Sequence, residues 1–289
     1  MANLTGIRWS LRPLKSSLIP LWAALLCSLL PLTATAQKLL LKESFAIPTA
    51  VAATQDVQGA LYLATQQGQV HQLDGSGKKL GQFSPDDMLY INSLQALPGL
   101  HLLLFDRTNQ QLLWLDRFMT LKRSYSLAGD NRSGLSSPGL IDAVAPAEGN
   151  ALWLVDGSQQ RLLKQQLPEG EVLLSVPLNL VSTAQKLAIS YMREHKGKLY
   201  LYSSGSGMLV FDIQGNYEQT LKMPEARDLW LEGGRFYFTR PGYLGFLDLD
   251  TKEVIQIPVL DKDVRQLLVK GSTIWLLGQG QAVKYLLMP

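Results

Sequence analysis

Two carboxylates, Asp142 and Asp228, and one amide, Asn92, stand where short apolar segments begin, and Thr49, Ser190 and Arg265 hold comparable places in other segments. Carboxylate and amide oxygens are hard donors of the kind that hold calcium. An ion held in that way could polarise an ester or a lactone for hydrolysis or elimination. Ile47 to Val51 carries no acidic residue, and Arg265 would oppose a cation. The same residues could equally hydrogen-bond around a wet cavity without any reaction.

Other chemistries are poorly provided for. His71, His101 and His195 are far apart in the chain, with neither zinc spacing nor an evident Ser or Asp partner, and read as structural or exposed. Gly205-Ser206-Gly207 and Gly278-Gln279-Gly280 join strand-like segments; neither opens a helix that could cradle a phosphate. Trp114, Trp153, Trp230 and Trp275 fall inside apolar segments and suit a core better than a sugar-stacking platform.

The elements that must position these residues are short strands. Apolar runs rich in Leu, Tyr, Phe, Trp and Val alternate with turns containing Gly, Asp and Asn. One unit recurs, as in Gly197-Lys198-Leu199-Tyr200-Leu201-Tyr202 followed by Gly207-Met208-Leu209-Val210-Phe211-Asp212. Taking Tyr62, Leu103, Trp153, Tyr200, Tyr237 and Trp275 as equivalent points gives intervals of 41, 50, 47, 37 and 38 residues. Six units of about 42 residues, each with four strands, describe an all-β, six-bladed β-propeller. The last unit is one strand short, and a spare strand lies at Lys38 to Phe45. An N-terminal strand completing the last blade would close both open edges. A two-sheet sandwich would not explain the period.

Phe105-Asp106-Arg107-Thr108-Asn109-Gln110-Gln111-Leu112 and Val155-Asp156-Gly157-Ser158-Gln159-Gln160-Arg161-Leu162 resemble the middle-strand turn of NHL-type propeller repeats. Ala128-Gly129-Asp130 through Ser137-Pro138-Gly139-Leu140-Ile141-Asp142 resembles the loop by which that family enters a new blade. Met192-Arg193-Glu194-His195 through Gly215-Asn216-Tyr217 is similar to exported propellers of Gram-negative bacteria. The resemblance implies the fold and no particular reaction. In lactonase-like propellers, acidic and amide ligands at the starts of the inner strands converge on the channel. By that likeness Asn92, Asp142, Ser190, Asp228 and Arg265 mark the channel mouth, and a calcium-like ion is the cofactor they would accept. Otherwise no cofactor is expected.

Propeller connectivity brings the interblade loops and the middle-strand turns to one rim, a common way to build a binding face. The longest loops are Ser84 to Leu89, Ala128 to Gly139 and Pro177 to Lys186. They carry Asp86, Asp87, Asp130, Asn131 and Arg132, while the middle-strand turns add Asp106, Arg107, Asp156 and Arg240.

The first 36 residues are expected to stand apart as a signal peptide: Arg8, Arg12 and Lys15, an apolar run from Leu18 to Leu32, then Ala34-Thr35-Ala36. The run is too short for a spanning helix of roughly 20 residues. Cleavage there would send residues 37–289, a single propeller domain, to the periplasm or outside the cell with no membrane span. Cys27, the single cysteine, lies in the leader, so the mature chain would have no thiol. The net charge of +3 reflects 27 basic and 24 acidic residues. All three surplus positives are in the leader, so the mature domain is formally neutral and a poor ligand for nucleic acid. Two readings of function result: a non-enzymatic binding or scaffold propeller of the cell envelope, its partner a protein or glycan, or a metal-dependent hydrolase or lyase at the channel mouth.

Overall fold

The second strand of each unit is apolar at nearly every position because both of its faces are buried. Side chains alternate across a strand, and here each side meets a different neighbouring sheet. Tyr62 and Ala64 pack against Leu102 and Leu104 of the following sheet. Leu61 and Leu63, between them, pack against Leu268, Trp275 and Leu277 of the preceding one. A strand with no solvent face reads as an unbroken apolar run, and Leu61–Thr65 and Ala151–Asp156 are buried throughout.

The computed structural model describes residues 38–99, 101–127, 139–167, 170–181, 187–259 and 263–288. The expectations for residues 1–36, Cys27 among them, and for Asp130, Asn131 and Arg132 lie outside the described residues.

Six four-stranded antiparallel sheets form the ring, in the order expected of a six-bladed β-propeller. Blade 1 runs through Ala50–Gln55, Leu61–Thr65, Val70–Leu73 and Lys79–Phe83 from channel to periphery. The inner strands of blades 2 to 6 are Ile91–Leu97, Ile141–Ala147, Ile189–His195, Asp228–Glu232 and Gln266–Lys270. The residues used to measure the period turn out to be equivalent. Tyr62, Leu103, Trp153, Tyr200, Tyr237 and Trp275 each enter the cluster shared with the next blade round the ring. Each such side chain contributes roughly 1.5–3 kcal/mol by leaving water.

Blade 6 is completed by Lys38–Ala46, which pairs antiparallel with Gln281–Met288 from Lys38↔Met288 to Ala46↔Gln281. Phe45 secures the seam. Its ring meets Trp275 edge-on at 5.4 Å. It also covers Gly77 of blade 1 so closely that a β-carbon there would lie 2.4 Å from the ring. Ion pairing of Lys284 with Glu43 at 2.6 Å adds a contact of the same strand pair.

Polar side chains fix the turns. In four blades an aspartate before the third-to-outer turn (Asp74, Asp116, Asp212 or Asp248) accepts backbone N–H groups two to four residues on. These are Asx turns, which satisfy donors that the sheet leaves unpaired. Two glutamines act between blades. The Gln110 amide donates to the Ile141 carbonyl at 2.9 Å and accepts the Ile141 N–H at 2.8 Å. Gln160 does the same one blade later, with Leu187, at 3.3 and 2.7 Å. Both have left-handed backbones, φ +53° and +50°.

Candidate functional site

The starts of the six inner strands surround a cavity of about 570 Å³. In blades 1 to 4 the pairing of inner and second strands skips one residue, at Val51, Asn92, Asp142 and Ser190 respectively. An extra residue in one strand re-aims its side chain, and all four of these line the cavity. Blades 5 and 6 have no such bulge and contribute Asp228 and Gln266 from the first position of the strand.

The expected mouth residues Asn92, Asp142, Ser190 and Asp228 are therefore brought together. Thr49 and Arg265 are not among the lining residues, and Val51 and Gln266 take their places. Arg265 misses by one residue because blade 6 lacks the bulge, whereas Thr49 lies two residues before Val51, an offset that the bulge shared by blades 1 to 4 does not explain. Arg265 is exposed, 3.7 Å from the Asp263 carboxylate.

Asp142 is paired through one oxygen and closely packed at the other. Oδ1 lies 2.5 Å from Nη2 of Arg107, reaching in from the middle-strand turn of blade 2. Oδ2 lies over the backbone of Gly157 in the corresponding turn of blade 3; a β-carbon at Gly157 would fall 1.7 Å from it. Asn92 supports the arrangement by accepting the Arg107 N–H through Oδ1 at 2.9 Å. Arg107, placed by sequence on the binding rim, thus belongs to the channel mouth as well.

Asp228 is held differently. Its Oδ2 accepts the Leu267 N–H at 2.6 Å across the blade 5–blade 6 boundary. The residue is only half-buried by surface area, but its carboxylate is surrounded by ring walls, and that enclosure dominates its ionisation. Burial pushes it up to about 7, against the pull of the Leu267 and Leu229 N–H groups. Tyr191, beside it, sits edge-on to Phe236 at 6.0 Å. Burial raises its phenol to about 12, Arg193 opposing the rise and Asp228 adding to it.

The other rim candidates separate into two kinds. Asp86 and Asp87 are exposed and Arg240 is half-buried, all on the rim. Asp106 and Asp156, expected to face a partner, are instead fully buried. Asp106 accepts N–H groups of Asn109 and Tyr90 at 2.9 Å each, and Asp156 those of Ser158 and Gln159 at 3.0 and 2.9 Å. A buried carboxylate must be hydrogen-bonded, and these two cap their own turns. Gln110 and Gln160 were missed as interblade clamps. Their signal was present in the shared spacing Asp106…Gln110 and Asp156…Gln160.

Trp153 and Trp275 are buried, whereas Trp114 and Trp230 are partly so, all packed in interblade clusters. His71 and His195 are half-buried, with pKa values lowered chiefly by that burial, and His101 is exposed. Among the described residues no group of three His, Cys, Asp or Glu side chains is placed to hold a metal ion, and no helix is long and apolar enough to cross a membrane.

No family model matches the chain, and no curated protein matches it. Solved structures do. A streptogramin B lyase superposes with a TM-score of 0.65 at 13% identity, over 88% of this chain and 99% of that one. A virginiamycin B lyase from Staphylococcus aureus gives 0.64 at 13%, over 87% and 100%. The Swd1 propeller domain of Myceliophteria thermophila gives 0.60 at 11%, over 87% and 100%. These likenesses are to propellers of unlike function, and at such identities they establish the fold alone.

Proposed function

We propose that this chain is an exported, non-enzymatic binding propeller of the cell envelope that takes its partner, a protein or a glycan, at the channel mouth and surrounding rim. One observation carries the reading. Of the two cavity carboxylates, Asp142 has one oxygen on Arg107 and the other against Gly157, and Asp228 accepts the Leu267 N–H. A carboxylate paired with a guanidinium of its own chain orients the mouth and already has a cation beside it. Export rests on the leader-like character of residues 1–36 and on a mature domain without thiols and without net charge.

The rival is a calcium-dependent hydrolase or lyase using Asp142 and Asp228, and two lyases share the fold. The deciding experiment offers the purified 37–289 domain a panel of esters, lactones and cyclic depsipeptides, with calcium and with a chelator. The expected result is no turnover and no calcium-dependent shift in Tm. Turnover that Asp142→Ala or Asp228→Ala abolishes would overturn the proposal. Export is tested separately by fusing residues 1–36 to alkaline phosphatase, which is active only after translocation.

A further inference from the structure

Arg193 lies on the cavity wall, half-buried. Among the described residues its guanidinium donates no hydrogen bond and closes no ion pair. Strand alternation explains why. On the inner strand of blade 4, Met192 and Glu194 point to blade 3, where Glu194 accepts the Trp153 Nε1–H. Tyr191 points the other way, onto Phe236 of blade 5, and Arg193, two residues on, shares that side. The inner strand of blade 5 offers it Leu229 and Leu231. The acids of that strand face blade 6 instead: Asp228 accepts the Leu267 N–H and Glu232 the Gly271 N–H. A guanidinium thus stands on the cavity wall with no direct partner among the described residues; the nearby Asp228, which acts on the same Tyr191 phenol, is engaged by the Leu267 N–H.

The two carboxylates of the wall are already engaged, Asp142 by Arg107 and Asp228 by the Leu267 N–H, and other groups there can donate. Asn92 uses its oxygen on the Arg107 N–H, and its amide N–H₂ remains a donor at the mouth. Ser190 is exposed at the mouth. The Arg107 side chain is 54% exposed, with one nitrogen on Asp142. From Ser190 down to Arg193 is three residues of strand, roughly 10 Å. The cavity volume of about 570 Å³ is in the range that holds a small molecule.

We propose that the channel binds a small organic oxyanion, a carboxylate or a phosphate monoester on a body roughly 10 Å long, with its anionic group on Arg193 and its other polar atoms at Asn92, Ser190 and Arg107. This deepens the binding reading above and rests on it. A guanidinium fork takes either oxyanion in a bidentate manner, so the source of the charge is left to the experiment.

The test is titration calorimetry and thermal unfolding of the 37–289 domain at fixed ionic strength. The probes are suberate, glucose 6-phosphate, inorganic phosphate and the neutral, length-matched 1,8-octanediol. Saturable binding of suberate or glucose 6-phosphate is expected, and which of them binds identifies the class. Arg193→Gln should weaken that binding about tenfold or more, the effect of one charge-assisted pair, and Arg193→Lys should restore part of it. Without ligand, Arg193→Gln should unfold no earlier than wild type, because it breaks no hydrogen bond or ion pair among the described residues; this separates a lost site from a lost fold. Binding of the diol as tight as that of suberate would overturn the proposal, and so would binding that Arg193→Gln leaves unchanged. If neither organic anion binds, the anion proposal falls. The broader reading then stands if immobilised wild type retains an envelope component that Arg107→Ala releases, and falls with it if nothing is retained.

Discussion

The side-chain amide of Gln110 and the backbone of Ile141 form a reciprocal pair of hydrogen bonds, 2.9 Å out and 2.8 Å back, across the boundary between blades 2 and 3. Gln110 is buried, and so is Ile141. Truncating the glutamine leaves a donor and an acceptor of Ile141 without partners, at about 1–3 kcal/mol each. Gln110→Ala should therefore cost roughly 2–6 kcal/mol in urea unfolding, whereas Gln58→Ala, on an exposed turn, should be neutral. Equal stability of the two variants would remove the clamp from the account of the fold.

Asp228 makes the domain sensitive to pH in an unusual sense. Its folded pKa of about 7 stands above the ordinary 3.8, so the folded state binds its proton more tightly than the unfolded chain does. The stability from this group is fully present below about pH 4 and is lost as pH rises towards and through 7. Asp228→Asn keeps an acceptor for the Leu267 N–H and removes the ionisation. It should unfold later than wild type at pH 8 and together with it near pH 4. Three pKa units set a ceiling of about 4 kcal/mol on the difference, and channel water reduces it. A variant with the pH profile of wild type would contradict this.

Gly157→Ala places a methyl group where the Asp142 carboxylate lies. Backbone strain is not the issue, because Gly157 is not among the glycines with positive φ. The carboxylate must move, and with it the pairing to Arg107. A loss of about 1–3 kcal/mol is expected from overpacking. Gly75→Ala, with nothing within 4 Å, should leave Tm unchanged. Similar Tm values for the two would show that the mouth tolerates displacement of Asp142.

Phe45→Ala tests the seam. It removes the edge-on contact with Trp275 and uncovers Gly77. A loss of roughly 3 kcal/mol follows from truncating a packed aromatic ring. Hydrogen exchange should quicken first along Lys38–Ala46 and Gln281–Met288. Uniform acceleration over all six blades would argue instead that the ring opens as one unit.

The ring was legible because burial on both faces writes itself into composition. Tyr62 and Trp275 sit in runs with no polar interruption, and those runs recur. The closing strand was legible because the sixth unit lacked a strand and Lys38 to Phe45 had none to join. The mouth was only partly so. Asn92, Asp142, Ser190 and Asp228 were reachable by counting, but the presence or absence of a bulge leaves no mark in a single sequence, which is why Arg265 was named in place of Gln266; Thr49, two residues from Val51, was an error of strand start. Asp106 and Asp156 misled for a different reason. A charged residue in a turn reads as solvated, and nothing in its type says that backbone N–H groups enclose it. Arg193 escaped notice because its significance lies in what does not face it.

Pairing of Lys38 with Met288 gives the molecule a direction in time. Blades 1 to 5 are each made from contiguous chain and can assemble in the order of synthesis. Blade 6 cannot, because its outermost strand is made first and must wait for its neighbour, made last. Until then Leu61 and Leu63 lack the Trp275 and Leu277 that cover them in the finished ring. A nascent chain is therefore an open arc with one apolar flank at each end, the form that a holding chaperone would recognise and a protease would cut. Protection arrives in a single step, when the final strand is released.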